Sequence, residues 1–151
     1  EAGRMVGRFL AERRGYSLTW TAAFLAFLLV PLLVLGIEIG RWEHARGELY
    51  KAADLAALAA AAEVDIPHFR DTGEVRLLPG AADVARRYVA ANTGYLARNG
   101  ISAHVAGIGV DQVHREVQVS VSADVSRLFP AWVPAVTIAG RGTAEVRGMA
   151  Q

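Results

Sequence analysis

The sequence predicts an α+β protein, with a long N-terminal helix that crosses a membrane, one short amphipathic helix and a small antiparallel β-sheet. Three observations predict it. An uncharged apolar run, Tyr16–Ile37, lies near the N-terminus, and an alanine-rich segment with high helix propensity follows it. The last third of the chain alternates apolar and polar residues with period two. We therefore expect a helical part over residues 1–66 and an α+β head domain over residues 67–151.

The apolar run has the length of a membrane span. As a helix, Tyr16–Ile37 would extend about 33 Å, which matches the hydrocarbon core of a bilayer. A buried core helix is usually shorter and keeps a polar face. A secretory signal would continue into a small-residue cleavage site, whereas Glu38, Arg41 and Glu43 follow here. We therefore place a membrane span at about residues 16–37.

The charges on either side of the span predict its orientation. Four arginines precede it against two glutamates, whereas basic and acidic residues balance after it. The positive-inside rule then leaves the N-terminus in the cytoplasm and exports the head domain. The four arginines are Arg4, Arg8, Arg13 and Arg14.

The net charge of +1 gives no case for nucleic-acid binding, and the absence of cysteine excludes disulfides and thiolate metal sites.

The helix is predicted to continue beyond the membrane. The alanine-rich continuation, residues 41–64, contains no proline and a single glycine. We predict one nearly continuous helix from about Phe9 to Val64, bent if anywhere near Pro31. Ile66-Pro67 would end it, because a residue before proline is disfavoured in the helical conformation.

The head domain is predicted from its periodicities. Pro67–Gly80 forms a connector, and a helical stripe from Ala81 to Leu96 covers a sheet of three strands. The local strand order is consistent with a meander. An apolar, proline-bounded loop, Leu128–Pro134, separates the last two strands. The predicted core consists of Val84, Tyr88, Leu96, Val117, Val119, Val121, Val136 and Ile138.

Two stretches of the helix resemble a known family. Arg13-Arg14-Gly15-Tyr16-Ser17, an apolar run interrupted by Pro31, and Gly36-Ile37-Glu38-Ile39-Gly40-Arg41 resemble the start of TadE/TadG-like proteins of the tight-adherence, Flp-type pilus systems. The continuation from Ala45 to Ala59 resembles the alanine-rich stretch of that family, including its lone aspartate. The resemblance is specific across Arg13–Ala62, and across Ala81–Val146 it rests on pattern alone.

The resemblance implies a pilin-like or pseudopilin-like role in cell adhesion or secretion. The chain would be a structural subunit of a pilus-like filament, inserted in the inner membrane and later part of an extracellular filament on the cell surface. Its partners would be copies of itself, membrane lipid and the pilus assembly machinery, with no cofactor. The alternative is a non-polymerising bitopic assembly factor or minor pseudopilin. A membrane-tethered sensor is a third class, although the sequence shows no polar cluster suited to a ligand.

Several residues are candidates for packing in a filament. Gly36 and Gly40 form a G-x-x-x-G spacing that permits close helix contact, or the spacing is a coincidence of composition. Asp54 either pairs with an arginine of a neighbouring subunit or is a solvated charge. Phe129 and Trp132 either anchor a neighbouring subunit or cap the core of their own domain. The full set of helix-packing candidates is Pro31, Gly36, Gly40, Asp54, Ala56 and Ala60.

The sequence offers no catalytic or metal-binding pattern. The four histidines lack metal-ligand spacing, and nothing in the sequence supports a triad of His114, Asp124 and Ser126. Gly107-Ile108-Gly109 lacks the rest of a phosphate-binding fingerprint. We therefore do not expect the protein to be an enzyme.

Overall fold

A computed structural model describes residues 2–125 and 136–147, with side chains from Ser17 onward. Its contacts divide the chain into two units, Glu1–Ile39 and Gly40–Gln151. The predicted division into a helical part over residues 1–66 and a head domain over residues 67–151 stays a prediction. The predicted fold class is confirmed, because a long apolar N-terminal helix precedes short helices and a three-stranded antiparallel sheet.

The long helix is continuous. Helix α1 spans Ala2–Ala61 with Pro31 inside it, so the prediction of one nearly continuous helix is confirmed. It ends three residues before the predicted end at Val64. Val64 instead forms an isolated antiparallel bridge with Leu77 in the connector.

The connector contains a helix that the sequence analysis missed. Helix α2 spans Ile66–Thr72, and the side chain of Asp65 caps it by accepting a hydrogen bond from the amide of His68 (3.1 Å). Pro67 fits the first turn because the amides there need no partner within the helix. Gly73 ends the helix with φ 74°, a conformation that favours glycine. The aspartate immediately before Ile-Pro was the signal for this helix.

The predicted amphipathic helix is two helices, α3 (Ala81–Asn92) and α4 (Gly94–Arg98). They separate at Thr93, whose buried hydroxyl donates to the carbonyl of Val89 (2.8 Å). Placing Tyr88 in the core was wrong, because its side chain is 47% exposed. The buried residues of α3 recur every four positions, and Tyr88 is not one of those positions, so its side chain faces solvent. The buried residues are Ala81, Ala85, Val89 and Leu96.

Strands β1 (Ile101–Asp111), β2 (Glu116–Val125) and β3 (Val136–Glu145) pair in the order β1-β2-β3, each antiparallel to its neighbour. This order is the meander that the sequence suggested. The sequence alternates regularly over Ile101–Val105, whereas strand β1 continues to Asp111 beyond a register shift between Val105 and Gly107. The extra residue lets the partly buried Val105 and Ile108 both face the core although they are three positions apart.

One apolar core lies between the helices and the sheet of the second unit. Val117, Val119 and Val121 are fully buried, as predicted, and Ile138 is 9% exposed. Val84 and Val136 are only partly buried. The core residues contributed by α1 are Ala45, Leu49, Ala53, Ala56, Ala57 and Ala60.

A hairpin turn ties the connector to the sheet. The side-chain amide of Gln112 accepts from the amide of Val75 (2.9 Å) and donates to the carbonyl of the same residue (2.7 Å). Asp111 accepts from two amides of the turn and pairs with His114 (2.8 Å). These bonds hold the β1–β2 turn against the segment that follows α2.

Candidate assembly surface

The apolar span is uncovered in the first unit. Every leucine of the span is exposed, from 44% at Leu35 to 74% at Leu18. The helix is long and apolar enough to cross a membrane, and 6% of its most apolar stretch is buried. A core helix of a soluble protein would be mostly buried, whereas the residues that the structure describes leave the apolar side chains of this span uncovered.

The alanine-rich half of α1 is covered by the sheet of the second unit. A Cβ atom placed on Gly142 would lie 2.2 Å from the carbonyl carbon of Ala53, and one on Gly140 would lie 3.2 Å from that of Leu49. Strand β3 therefore approaches the helix backbone where neither partner carries a large side chain. The alanines permit the helix side of this contact, and the two glycines permit the strand side.

The opposite side of this half of α1 carries an exposed row that we call the outer stripe: Asp54, Leu55, Leu58 and Ala62. Leu55 is 41% exposed and Leu58 is 60% exposed. The carboxylate of Asp54 is exposed and makes no hydrogen bond or ion pair with another residue described in the structure. The outer stripe is thus apolar apart from one unpaired carboxylate at its N-terminal end.

The charges just before the outer stripe are already paired. The ammonium group of Lys51 contacts the carboxylate of Glu48 at 2.8 Å, and this hydrogen bond holds the pKa of Glu48 below its usual value. The guanidinium of Arg46 lies 5.7 Å from the ring centroid of Tyr50, and the hydrogen bond that Arg46 donates to the hydroxyl oxygen of Tyr50 raises the pKa of Arg46. Asp54 differs from these neighbours in having no such partner.

The predicted packing residues fall into different environments. Pro31 is half-buried, whereas Gly36 and Gly40 are exposed and would leave an added Cβ without a neighbour within 4 Å. Ala56 and Ala60 are fully buried against the sheet of their own chain. In this conformation a second copy cannot contact those two alanines. Phe129 and Trp132 lie outside the described residues.

Glu38, which the sequence places among the charges that follow the span, is completely buried. Among the described residues no buried side-chain nitrogen or oxygen lacks a hydrogen-bond partner, so this carboxylate is satisfied. Nothing in its sequence position, one residue after an apolar span, distinguished it from a solvated charge. Within the described part of the chain, no group of acidic residues or histidines is arranged to hold a metal ion.

Together, the uncovered span and the folded second unit give the described part of the chain a candidate membrane helix and an α+β head. Residues 15–63 match the family model described as "Tad: Putative Flp pilus-assembly TadE/G-like". This match confirms the predicted resemblance over about a third of the chain and supports a role in a Flp-type pilus system. No curated protein and no solved structure matches the chain significantly.

Proposed function

We propose that the protein is a structural subunit of an extracellular pilus-like filament, inserted in the inner membrane before assembly. The apolar span, exposed on all sides of the helix, is the observation that supports it. In the bilayer, lipid covers these side chains. In a filament, copies of the same helix would cover them, so that leaving the membrane need not expose them to water.

The arginines before the span favour an N-terminus that stays in the cytoplasm, with the second unit exported. The second unit then supplies the outer surface of the filament. Its core is closed by its own helices and sheet, so it needs no neighbour to fold around. The family match over residues 15–63 supports a place in the pilus system, and the filament position is our inference from the exposed span.

One observation favours a second candidate, a non-polymerising assembly factor or minor pseudopilin. The alanine face of α1 is occupied by the chain's own sheet, so the apolar surface that the described residues of that half leave open to another subunit is the outer stripe. A protein that binds a single partner would need no larger exposed apolar surface than the outer stripe.

Labelling the protein in assembled filaments tests the proposal. The chain has no cysteine, so Val113→Cys provides a single thiol at a position that is 86% exposed in the β1–β2 turn. We expect a gold-coupled thiol reagent to label filaments at regular intervals along their length. Label confined to the cell envelope, on cells with intact unlabelled filaments, would show that the protein is an assembly factor instead.

A further inference from the structure

The outer stripe is unusual for the exposed face of a helix in an exported domain. Helix α3 shows the ordinary case, because Asp83, Arg86 and Arg87 are exposed there and keep that face polar. In α1, by contrast, no charge occurs from Leu55 to Ala62, and the exposed side carries two leucines. The sheet covers the other side of the helix, and no residue that the structure describes covers the stripe.

Lipid from the bilayer that the span crosses is a poor cover for the stripe. Leu55 follows Ile37 by about five helical turns. Exposed charged residues, including Glu43, Arg46 and Lys51, lie between the span and the stripe. Placing the stripe in the hydrocarbon would bring those charges into it as well, at a cost of several kcal/mol.

The start of the span carries a row with the same spacing and the opposite charge. Asp54, Leu58 and Ala62 are separated by steps of four residues, and Arg14, Leu18 and Ala22 repeat those steps. Residues four apart lie on one face of a helix. Leu18 and Ala22 are exposed, as are Leu58 and Ala62.

We propose that the outer stripe docks the N-terminal part of the span of a second copy, with Asp54 against Arg14, Leu58 against Leu18 and Ala62 against Ala22. The two α1 helices run parallel, because every copy enters the membrane in the same orientation. They are displaced along the helix axis by 40 residues, about 60 Å. This inference rests on the proposed function, since such a displacement arises only after copies have left the bilayer.

The contact joins an apolar surface to an apolar surface and pairs two opposite charges at one end. Burying the leucines favours association, and the charge pair selects this register, because a shifted register would leave both charges unpaired next to apolar side chains. The interface is heterologous, since each copy offers its stripe to one neighbour and its span to another. Repetition of such a contact builds a filament rather than a closed dimer.

Charge reversal in separate copies tests the pairing. Asp54→Arg places an arginine against Arg14 of the next copy, and Arg14→Asp places an aspartate against Asp54. We expect each variant alone to reduce incorporation into filaments by at least about tenfold, because like charges meet. In cells that produce both variants, opposite charges meet again at every contact between unlike copies, and incorporation should recover.

Two controls separate this effect from a general loss of assembly. Glu74→Arg reverses an exposed charge in the connector that takes no part in the proposed contact, and should leave incorporation unchanged. Membrane insertion of Arg14→Asp is measured by protease protection, since three arginines still precede the span. Loss in the single variants without recovery in the mixture would overturn the Asp54–Arg14 pairing.

Cysteine cross-linking tests the neighbouring contact. Filaments are assembled from one tagged copy with Leu18→Cys and a differently tagged copy with Leu58→Cys, and are then oxidised. We expect a disulfide between the two tags, because the two Cα atoms must lie within about 7 Å for the bond to form. The matched control replaces Leu58→Cys by Val113→Cys, which is also exposed but lies in the β1–β2 turn, and should give no product.

The outcomes distinguish the inference from the proposed function. Filaments that contain both tags but give no Leu18–Leu58 product, or as much product as the Val113 control, overturn the contact and leave the filament role intact. A product between Leu58→Cys and a different protein overturns it as well. Absence of the Val113-labelled protein from filaments contradicts the proposed function and, with it, the contact.

Discussion

Residues 17–37 and residues 45–61 belong to the same helix but differ in what covers their apolar side chains. The first segment is rich in leucine and phenylalanine, and its large side chains are exposed around the helix. The second is rich in alanine, and one side of it is fully buried by the sheet of its own unit. Side-chain size accounts for the difference, because only a face of small residues lets a strand approach the helix backbone.

The comparison shows that a single helix can be covered in two ways. The apolar side chains of the alanine face are buried by the sheet of the same unit, so substitutions there should change the free energy of unfolding of the head. In the proposed function the leucine-rich segment is covered by lipid or by another protein, so substitutions there should change insertion and assembly. Substitutions in the two segments should therefore affect different measurements.

The largest effect is expected from a charge in the core that faces the alanine-rich segment. Val119 is fully buried on β2, so Val119→Asp places an unpaired carboxylate among apolar side chains. We expect a loss of about 4 kcal/mol or more in the free energy of unfolding, which is a large part of the stability of a domain this size. Denaturant unfolding of the detergent-solubilised protein measures it.

Ser120→Asp is the matched control, since Ser120 is the next residue on the strand and points to the opposite face. It should change the free energy of unfolding by less than about 0.5 kcal/mol. If Ser120→Asp unfolds the head while Val119→Asp does not, the assignment of the two faces of β2 is wrong.

A charge in the apolar span should affect insertion instead. Leu29 is 53% exposed in the span. Leu29→Arg should cost about 2.5–3.5 kcal/mol of insertion free energy, because a guanidinium enters the hydrocarbon core. The expected result is a lower membrane-integrated fraction and lower filament yield in a fractionation experiment.

Leu29→Val is the control, since it keeps the position apolar and should insert normally. Protein with Leu29→Arg that does insert should show an unchanged unfolding temperature of the head. Normal filament abundance with Leu29→Arg would contradict the view that the span must be covered by lipid or by other copies.

Much of this fold follows from periodicity, and the exceptions have physical reasons. The buried faces of β2 and β3 were predicted because Val119 and Ile138 belong to regular period-two patterns. The second part of β1 was not, because a bulge at Val105–Gly107 shifts the alternation. Tyr88 was misplaced because a helix of 12 residues leaves the width of its apolar stripe poorly defined.

The cover of the alanine face was harder to predict than the strands. A face of small residues admits either another helix or a sheet, and the sequence of α1 alone does not choose between them. The residues that indicate a sheet lie elsewhere in the chain: they are Gly140 and Gly142, on the apolar face of β3. Two glycines on the buried face of a strand indicate a close backbone approach. In combination with the alanines, they could have identified the contact.

The glycines supply a smaller and more local test of the same contact. Gly142→Ala would place a Cβ 2.2 Å from the backbone of Ala53, so β3 and α1 must move apart. We expect a loss of about 2–3 kcal/mol in the free energy of unfolding, at the upper end of the usual cost of overpacking. Denaturant unfolding of the same solubilised protein measures this loss.

Gly109→Ala is the matched control, because a Cβ at this strand position would meet no atom within 4 Å. It should be neutral or slightly stabilising, since alanine has fewer conformations to lose on folding. Equal effects of the two substitutions would mean that the close approach of β3 to α1 does not exist in solution.

The smallest effect is expected at the end of the alanine-rich segment, where Asp65 caps α2 and pairs with Arg76. The hydrogen bond from the Arg76 side chain, followed by that from the His68 amide, holds the pKa of the Asp65 carboxyl below its ordinary value. The stabilisation that the ionised Asp65 carboxylate gives the folded protein is therefore fully present above the unfolded pKa of about 3.9. It is lost as the pH falls through the lower pKa of the folded state.

Asp65→Asn keeps an oxygen that can cap the helix but removes the charge, whereas Asp65→Ala removes both. We expect the unfolding temperature at pH 7 to decrease in the order wild type, Asp65→Asn, Asp65→Ala, with both decreases smaller than that of Gly142→Ala. As the pH falls below the unfolded pKa of about 3.9, the difference between wild type and Asp65→Asn should shrink, because protonation of the carboxyl then favours the unfolded state. A difference that stays constant from pH 7 to pH 3 would show that the ion pair with Arg76 contributes nothing and that Asp65 acts only as a cap.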